Sequence, residues 1–203
     1  MVNQSNIFVF DTSEQLALAA AERFVECAEA SHRELDRFSV ALAGGNTPRR
    51  IYELLATERF KKRVEWSQVH FFFGDERCVP PDHPDSNYRM AYEALISQVS
   101  IPAKNVHRIF GEGNASENAR AYENELRTFF AGLAWPRFDL VLLGMGEDGH
   151  TASLFPNSVA LKEVSRWVVP ARNEQSGQDR ITLTIPVFNQ DRKSTRLNSS
   201  HRL

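Results

Sequence analysis

Apolar residues fall along the chain in two rhythms that take turns. Short runs of aromatic, β-branched and aliphatic side chains with little polar alternation occupy residues 7–10, 38–43, 69–73, 138–143, 167–169 and 181–185, and runs of that kind predict buried strands. Helical spacing covers residues 14–31 after Asp11-Thr12-Ser13, 48–55, 87–97, and 117–130 after Asn114 and Ser116. The polar residues ahead of these stretches are the ones that cap helix starts. The order is largely strand, helix, strand, helix. Strands that are apolar on both faces need cover on both, so the economical arrangement is an α/β fold: a mainly parallel sheet between helix layers. Ligands of such sheets gather beyond the carboxyl ends of the strands.

The pattern stops at residue 191. The segment DRKSTRLNSSHRL, residues 191–203, has two aliphatic residues in thirteen and no helical stripe, a composition that argues for disorder. Pro186 follows a good strand and calls for a helix that packs back on the sheet, yet the periodicity ends within a few residues. The expectation is a single α/β domain over residues 1–190, its sheet incomplete at the carboxyl end, and a non-native disordered tail over 191–203.

Composition narrows the function without naming it. At 203 residues, 42% hydrophobic and 25% charged, the chain suits one globular domain. Its 24 basic and 26 acidic residues are interspersed and sum to −2, so no broad positive field announces nucleic acid or an anionic membrane. An anion must therefore be caught locally. Cys27 and Cys78 are too few for a disulfide framework and suit a reducing compartment. The amino terminus lacks a basic flank ahead of a long apolar stretch, and no segment approaches the roughly 18 apolar residues of a membrane span. A cytoplasmic protein, monomeric or weakly dimeric, is expected.

Three strand ends carry glycine and polar chemistry. Gly44-Gly45-Asn46-Thr47-Pro48 follows the second strand. It reads either as a plain turn with Thr47 capping a helix, or as a cradle whose backbone N–H groups and helix dipole hold a phosphate, with Asn46 and Thr47 adding side-chain bonds. Asp75-Glu76-Arg77 follows the third strand. Here Arg77 either pairs with its acidic neighbours or forks onto an anion, while Asp75 orients a hydroxyl or accepts a proton. Asp85-Ser86-Asn87 reads as a helix cap, with Ser86 and Asn87 also within reach of a sugar hydroxyl. Gly144-Met145-Gly146-Glu147-Asp148-Gly149-His150 follows the fourth strand; an imidazole there can move a proton at neutral pH, and Asp148 is placed to orient it. A G-x-G this late in the chain, with no third glycine in register, is weak evidence for a dinucleotide site.

Together with Val79-Pro80, the run Thr151-Ala152-Ser153-Leu154-Phe155-Pro156 and Arg180-Ile181-Thr182-Leu183-Thr184, these motifs resemble the 6-phosphogluconolactonase family in order and spacing, over residues 7–189. The resemblance implies a Rossmann-like three-layer α/β/α sandwich shared with glucosamine-6-phosphate deaminases. It also implies hydrolysis of 6-phosphoglucono-δ-lactone in the oxidative pentose phosphate pathway, with no metal and no cofactor. It makes His150 the general base, flanked by Asp148 and Asp75. Gly44, Gly45, Asn46, Thr47, Arg77, Ser86, Asn87, Gly146 and Arg180 then line the pocket for a phosphorylated sugar lactone. Family members continue beyond this chain's length with a further strand and helices. Two other readings remain: a deaminase, disfavoured because its relatives carry Phe-Asn-Glu-Pro where residues 151–156 read TASLFP, and a sugar-phosphate binder without catalysis. Ser153 lacks a G-x-S-x-G elbow, so water is the expected nucleophile.

Overall fold

Phe71 and Phe72 are neighbours in the chain and point to opposite faces of one strand, and what each meets defines the layers. The computed structural model describes residues 7–190 and 194–197. Its elements run α1 (Ser13–Leu35), β1 (Phe38–Leu42), α2 (Asn46–Leu55), the one-turn α3 (Glu58–Lys61), β2 (Val69–Phe73), β3 (Asp75–Arg77), α4 (Asn87–Ala94) and α5 (Ala115–Phe129). They continue with β4 (Leu140–Gly144), β5 (Val168–Asn173), β6 (Gln178–Leu183), the one-turn α6 (Ile185–Phe188) and β7 (Ser194–Leu197). Phe71 packs toward Phe24 of α1, with ring centroids 6.5 Å apart, whereas Phe72 meets Phe129 of α5 at 4.9 Å. Helices thus cover both faces of the sheet, a Rossmann-like α/β/α arrangement.

The parallel sheet has the order β2-β1-β4-β7. All five residues of β1 are buried, as a strand sandwiched between helices requires. Asp139 pins β4 to β1: its carboxylate accepts from the Ser39 N–H and hydroxyl at 2.9 and 2.7 Å. Helix starts follow their caps, with Thr12 accepting from Gln15, Ser86 from Arg89 and Asn114 from Ser116 and Glu117.

Four expectations need correction. Residues 7–10 form no strand; Ile7, Phe8 and Val9 are exposed, because strand composition needs a neighbouring ladder and these residues pair with none of the described strands. The late strands β5 and β6 do not extend the parallel sheet. They pair antiparallel with each other and with β3 in a separate sheet of order β3-β6-β5. Only residues 174–177 lie between them, closed by Gly177 at φ +68 donating to the Asn173 carbonyl, and so short a link cannot make a parallel crossover. The helix expected after the last strand is the single turn α6. Ser194–Leu197, expected to be disordered, is a strand that pairs parallel with β4 from Val141 to Gly144. An open sheet edge offers backbone partners that side-chain composition does not register. The rest of the expected tail, residues 191–193 and 198–203, lies outside the described residues.

On the outer side of β2, His70 Nδ1 sits 3.1 Å from His107 Nε2, and His107 Nδ1 sits 2.6 Å from Glu125. The His107 ring stacks on Phe72 at 4.2 Å. Burial, followed by the charges of His107, Arg37 and Lys104, pushes His70 from 6.5 down to about 4. Between those values the unfolded chain binds the proton that folded His70 refuses, so stability falls as pH drops through that window. Urea midpoints measured across that acid range should decline, and decline less steeply in His70→Gln. Equal slopes would exclude His70 as the source.

Candidate active site

The chain leaves β1 for β2 on one side and reaches β4 on the other, so the carboxyl ends of β1 and β4 flank the point where the connections part, the usual ligand position in such sheets. A phenol closes the end of β1: Tyr52 of α2 accepts from the Ala43 N–H at 3.0 Å and donates to its carbonyl at 2.9 Å. Beyond it the backbone turns through Gly45, whose φ of +101 is open to glycine and little else. Gly45 is the N-cap of α2, and no side chain caps that helix. Thr47 therefore lies within the first turn rather than ahead of it, and the first turn carries the positive end of the helix dipole, which favours anions. Gly44 is constrained differently. A Cβ on it would lie 1.9 Å from Asn87 Oδ1.

That asparagine belongs to the second strand end. Asn87 Nδ2 donates to the Asp75 carbonyl at 2.9 Å and to its Oδ1 at 3.2 Å, while Ser153 donates to Asp75 Oδ2 at 2.6 Å. Asp75 is buried and both its oxygens are engaged. Glu76, beside it, faces the start of α4, accepting from the N–H groups of Arg77, Asn87 and Tyr88 and from the Ser86 hydroxyl. Burial lifts the Glu76 carboxyl above its ordinary range against the pull of those N–H donors. Arg77 donates to the Asp85 carbonyl and stands directly opposite Arg180 across the β3–β6 ladder. The buried Nε atoms of both arginines have no hydrogen-bond partner. Burial first, then the charge of Arg77, presses the Arg180 guanidinium below its ordinary value. Two like charges set opposite each other repel; an anion between them would relieve that.

The third strand end holds the imidazole. His150 Nδ1 contacts Asp148 Oδ1, and the two side chains are 29% and 33% exposed, open to solvent yet backed by protein. Burial alone would raise the Asp148 carboxyl, but hydrogen bonds from the His150 ring and N–H, with the ring's charge, outweigh it and hold the carboxyl low. The Phe155 ring lies 4.7 Å from the imidazole. A Cβ on Gly146 would come within 2.3 Å of the His150 ring, so this glycine makes room for the imidazole. Its N–H donates to the His150 carbonyl at 2.8 Å, and the Gly149 N–H to the Gly146 carbonyl at 3.0 Å. Those two amides are therefore spent inside the loop and are not free donors for an oxyanion.

The three strand ends do converge: a Cβ on Gly144 would lie 3.9 Å from the Gly44 carbonyl, and Asp75 holds the hydroxyl of Ser153, three residues past His150. Three of the expected pocket residues take other roles: Gly146 spends its N–H on the His150 carbonyl, and Ser86 and Asn87 face inward. Ser86 and Asn87 are each 2% exposed and committed to Glu76 and Asp75, so they brace the site rather than meet a sugar. Sequence reading places Thr182 only within the run of residues 180–184 and gives it no role in the site; its hydroxyl accepts from the Ser153 N–H at 3.4 Å. Among the described residues, no group of three His, Cys, Asp or Glu side chains is arranged to hold a metal ion.

Fold and site together define an α/β protein with an imidazole–carboxylate pair, an uncapped helix start and two facing guanidinium groups gathered where its strands end. The sequence model described as glucosamine-6-phosphate isomerases/6-phosphogluconolactonase matches residues 11–200, and the chain belongs to that family. A 6-phosphogluconolactonase from Synechocystis sp. is 47% identical over 76% of this chain and 63% of its own length. One from Haemophilus influenzae is 34% identical over 95% of this chain and 79% of its own. The solved 6-phosphogluconolactonase of Trypanosoma brucei superposes with a TM-score of 0.86 at 34% identity, covering 96% of this chain and 82% of that one. The chain spans a little under two thirds of the cyanobacterial relatives it matches.

Because Asn87 is buried and tied to Asp75, it has nowhere to go when Gly44 gains a methyl group. Gly44→Ala should cost about 1–3 kcal/mol, the usual scale of overpacking, and much less in an Asn87→Ala background. Urea denaturation of the four proteins in the cycle measures this; equal costs in both backgrounds would mean the clash is not with Asn87.

Proposed function

We propose that this chain hydrolyses 6-phospho-D-glucono-1,5-lactone to 6-phospho-D-gluconate, the lactone-opening step of the oxidative pentose phosphate pathway, in the cytoplasm. The observation that carries the reading is the pairing of a proton-handling dyad with an anion seat: His150 on Asp148, and Arg77 directly opposite Arg180. The names of the relatives point the same way.

Asp148 takes the Nδ1–H of His150, which leaves Nε2 as the basic nitrogen. Nε2 removes a proton from water as the water oxygen attacks the lactone carbonyl, forming a tetrahedral oxyanion. Collapse of that intermediate breaks the bond between the carbonyl carbon and the ring oxygen, and the imidazolium returns its proton to that oxygen. The acid so formed ionises in water. Arg77 and Arg180 hold the phosphate, and the uncapped start of α2, with Asn46 and Thr47, faces the remaining polar groups of the sugar. Holding both ends of the substrate turns attack into a unimolecular event, which is where much of the acceleration arises.

The test is acid release from the lactone above its spontaneous rate, with ammonia release from glucosamine 6-phosphate as the contrast. His150→Ala should lower kcat roughly a hundredfold; a loss confined to KM would make His150 a binding residue instead. Arg180→Ala should raise KM roughly tenfold or more and abolish the rise in melting temperature that 6-phosphogluconate gives the parent. An unchanged KM would remove Arg180 from the phosphate seat.

A further inference from the structure

Ser153 sits three residues after the proposed base, looks like a nucleophile and cannot be one. It is 1% exposed, beyond reach of any substrate. Its two polar groups go elsewhere: the hydroxyl donates to Asp75 Oδ2 at 2.6 Å and the N–H to Thr182 Oγ1 at 3.4 Å. Asp75 and Thr182 are themselves directly opposite each other on the β3–β6 ladder, and the next pair on the same face is Arg77 with Arg180. Ser153 is therefore seated two residues along from the facing arginines.

Between Ser153 and His150 the backbone has little slack. Thr151 donates to the Gly144 carbonyl at 2.8 Å, the Leu154 N–H returns to the Thr151 carbonyl at 3.0 Å, and Ala152 is held left-handed at φ +50. Leu154 and Phe155 are buried just beyond. A displacement of Ser153 has no flexible segment to absorb it before it reaches the imidazole.

We propose that Ser153 is a positioning residue: its hydroxyl, through Asp75, sets the distance between the His150 dyad and the arginine pair. This rests on the lactonase reading given above. Asp75, expected from the sequence to flank the base in the chemistry, then acts on His150 through Ser153, since Asn87 and Ser153 occupy its two oxygens. The loop that carries the base and the antiparallel sheet that carries the phosphate seat belong to different parts of the fold, and this bond, beside the contact of the Ser153 N–H with Thr182, joins them.

The experiment compares the parent with Ser153→Ala, Asp75→Asn and the double variant on 6-phosphogluconolactone, well below each melting temperature. Ser153→Ala should lose at least tenfold in kcat with KM within twofold of the parent, because the arginines are untouched. Its loss and that of Asp75→Asn should not multiply in the double variant. Parental kcat, a loss confined to KM, or fully multiplicative losses would each overturn the proposal. Ser153→Cys keeps the shape with a weaker donor and serves if the alanine variant fails to fold: at least threefold lower kcat at unchanged KM is expected, and parental kcat overturns the role. A parent that does not exceed spontaneous hydrolysis sinks the lactonase reading itself; an active parent matched by an equally active Ser153→Ala sinks only the positioning role.

Discussion

A parallel sheet covered on both faces must still end its strands somewhere, and the backbone groups released there need partners that leave the ends open to a ligand. In this chain the adjacent strands β1 and β2 meet that demand in the same way. Tyr52 satisfies both backbone groups of Ala43, and Tyr122 of α5 does the same for Phe73, accepting at 2.9 Å and donating at 3.1 Å. Burial keeps both phenols neutral by pushing their ionisation upward. Each tyrosine comes from a covering helix, so the chain beyond each strand starts from a fixed point: Gly45, beyond β1, is exposed, whereas Gly74, beyond β2, is buried and bonded to Leu42 and Leu183. Those two anchors hold the points from which the Gly44-Gly45 turn and the Asp75–Arg77 strand depart.

Two carboxylates adjacent in sequence show how much a pleat decides. Asp75 and Glu76 point to opposite faces of β3. Glu76 is absorbed by the start of α4, where Ser86 and the N–H groups of Asn87 and Tyr88 surround it. Asp75 turns toward the loop of His150. One residue builds the wall of the site and the other aligns its contents, although as a sequence the pair reads only as an acidic turn.

The parallel sheet, the helix starts and the three polar strand ends were legible because each rests on local chemistry: apolar runs, capping oxygens, and glycines where the backbone must turn. What escaped depends on partners distant in sequence. The antiparallel sheet was hidden because residues 167–169 and 181–185 carry the same composition as the parallel strands, and only the short link between β5 and β6 marks the difference. Strand composition at residues 7–10 meant nothing without a ladder to join, and the pairing of residues 194–197 with β4 came from a ladder that composition did not advertise. In the site, the contact of His150 with Asp148 lies within one short loop, and Arg77 and Arg180 meet only through the β3–β6 register. The bracing roles of Asn87, Ser153 and Thr182 could not be read, since each is defined by a contact with Asp75 or its ladder partner.

The stack of Gly44 on Asn87, and of Asn87 on Asp75, has an evolutionary corollary. Position 44 can accept a side chain only in a lineage that first shrinks residue 87, and shrinking residue 87 strips Asp75 of one of its two supports. No single-step route through this trio avoids a defective intermediate. The three positions should therefore drift together or not at all, a ratchet that arises from steric exclusion and not from any contact with the substrate.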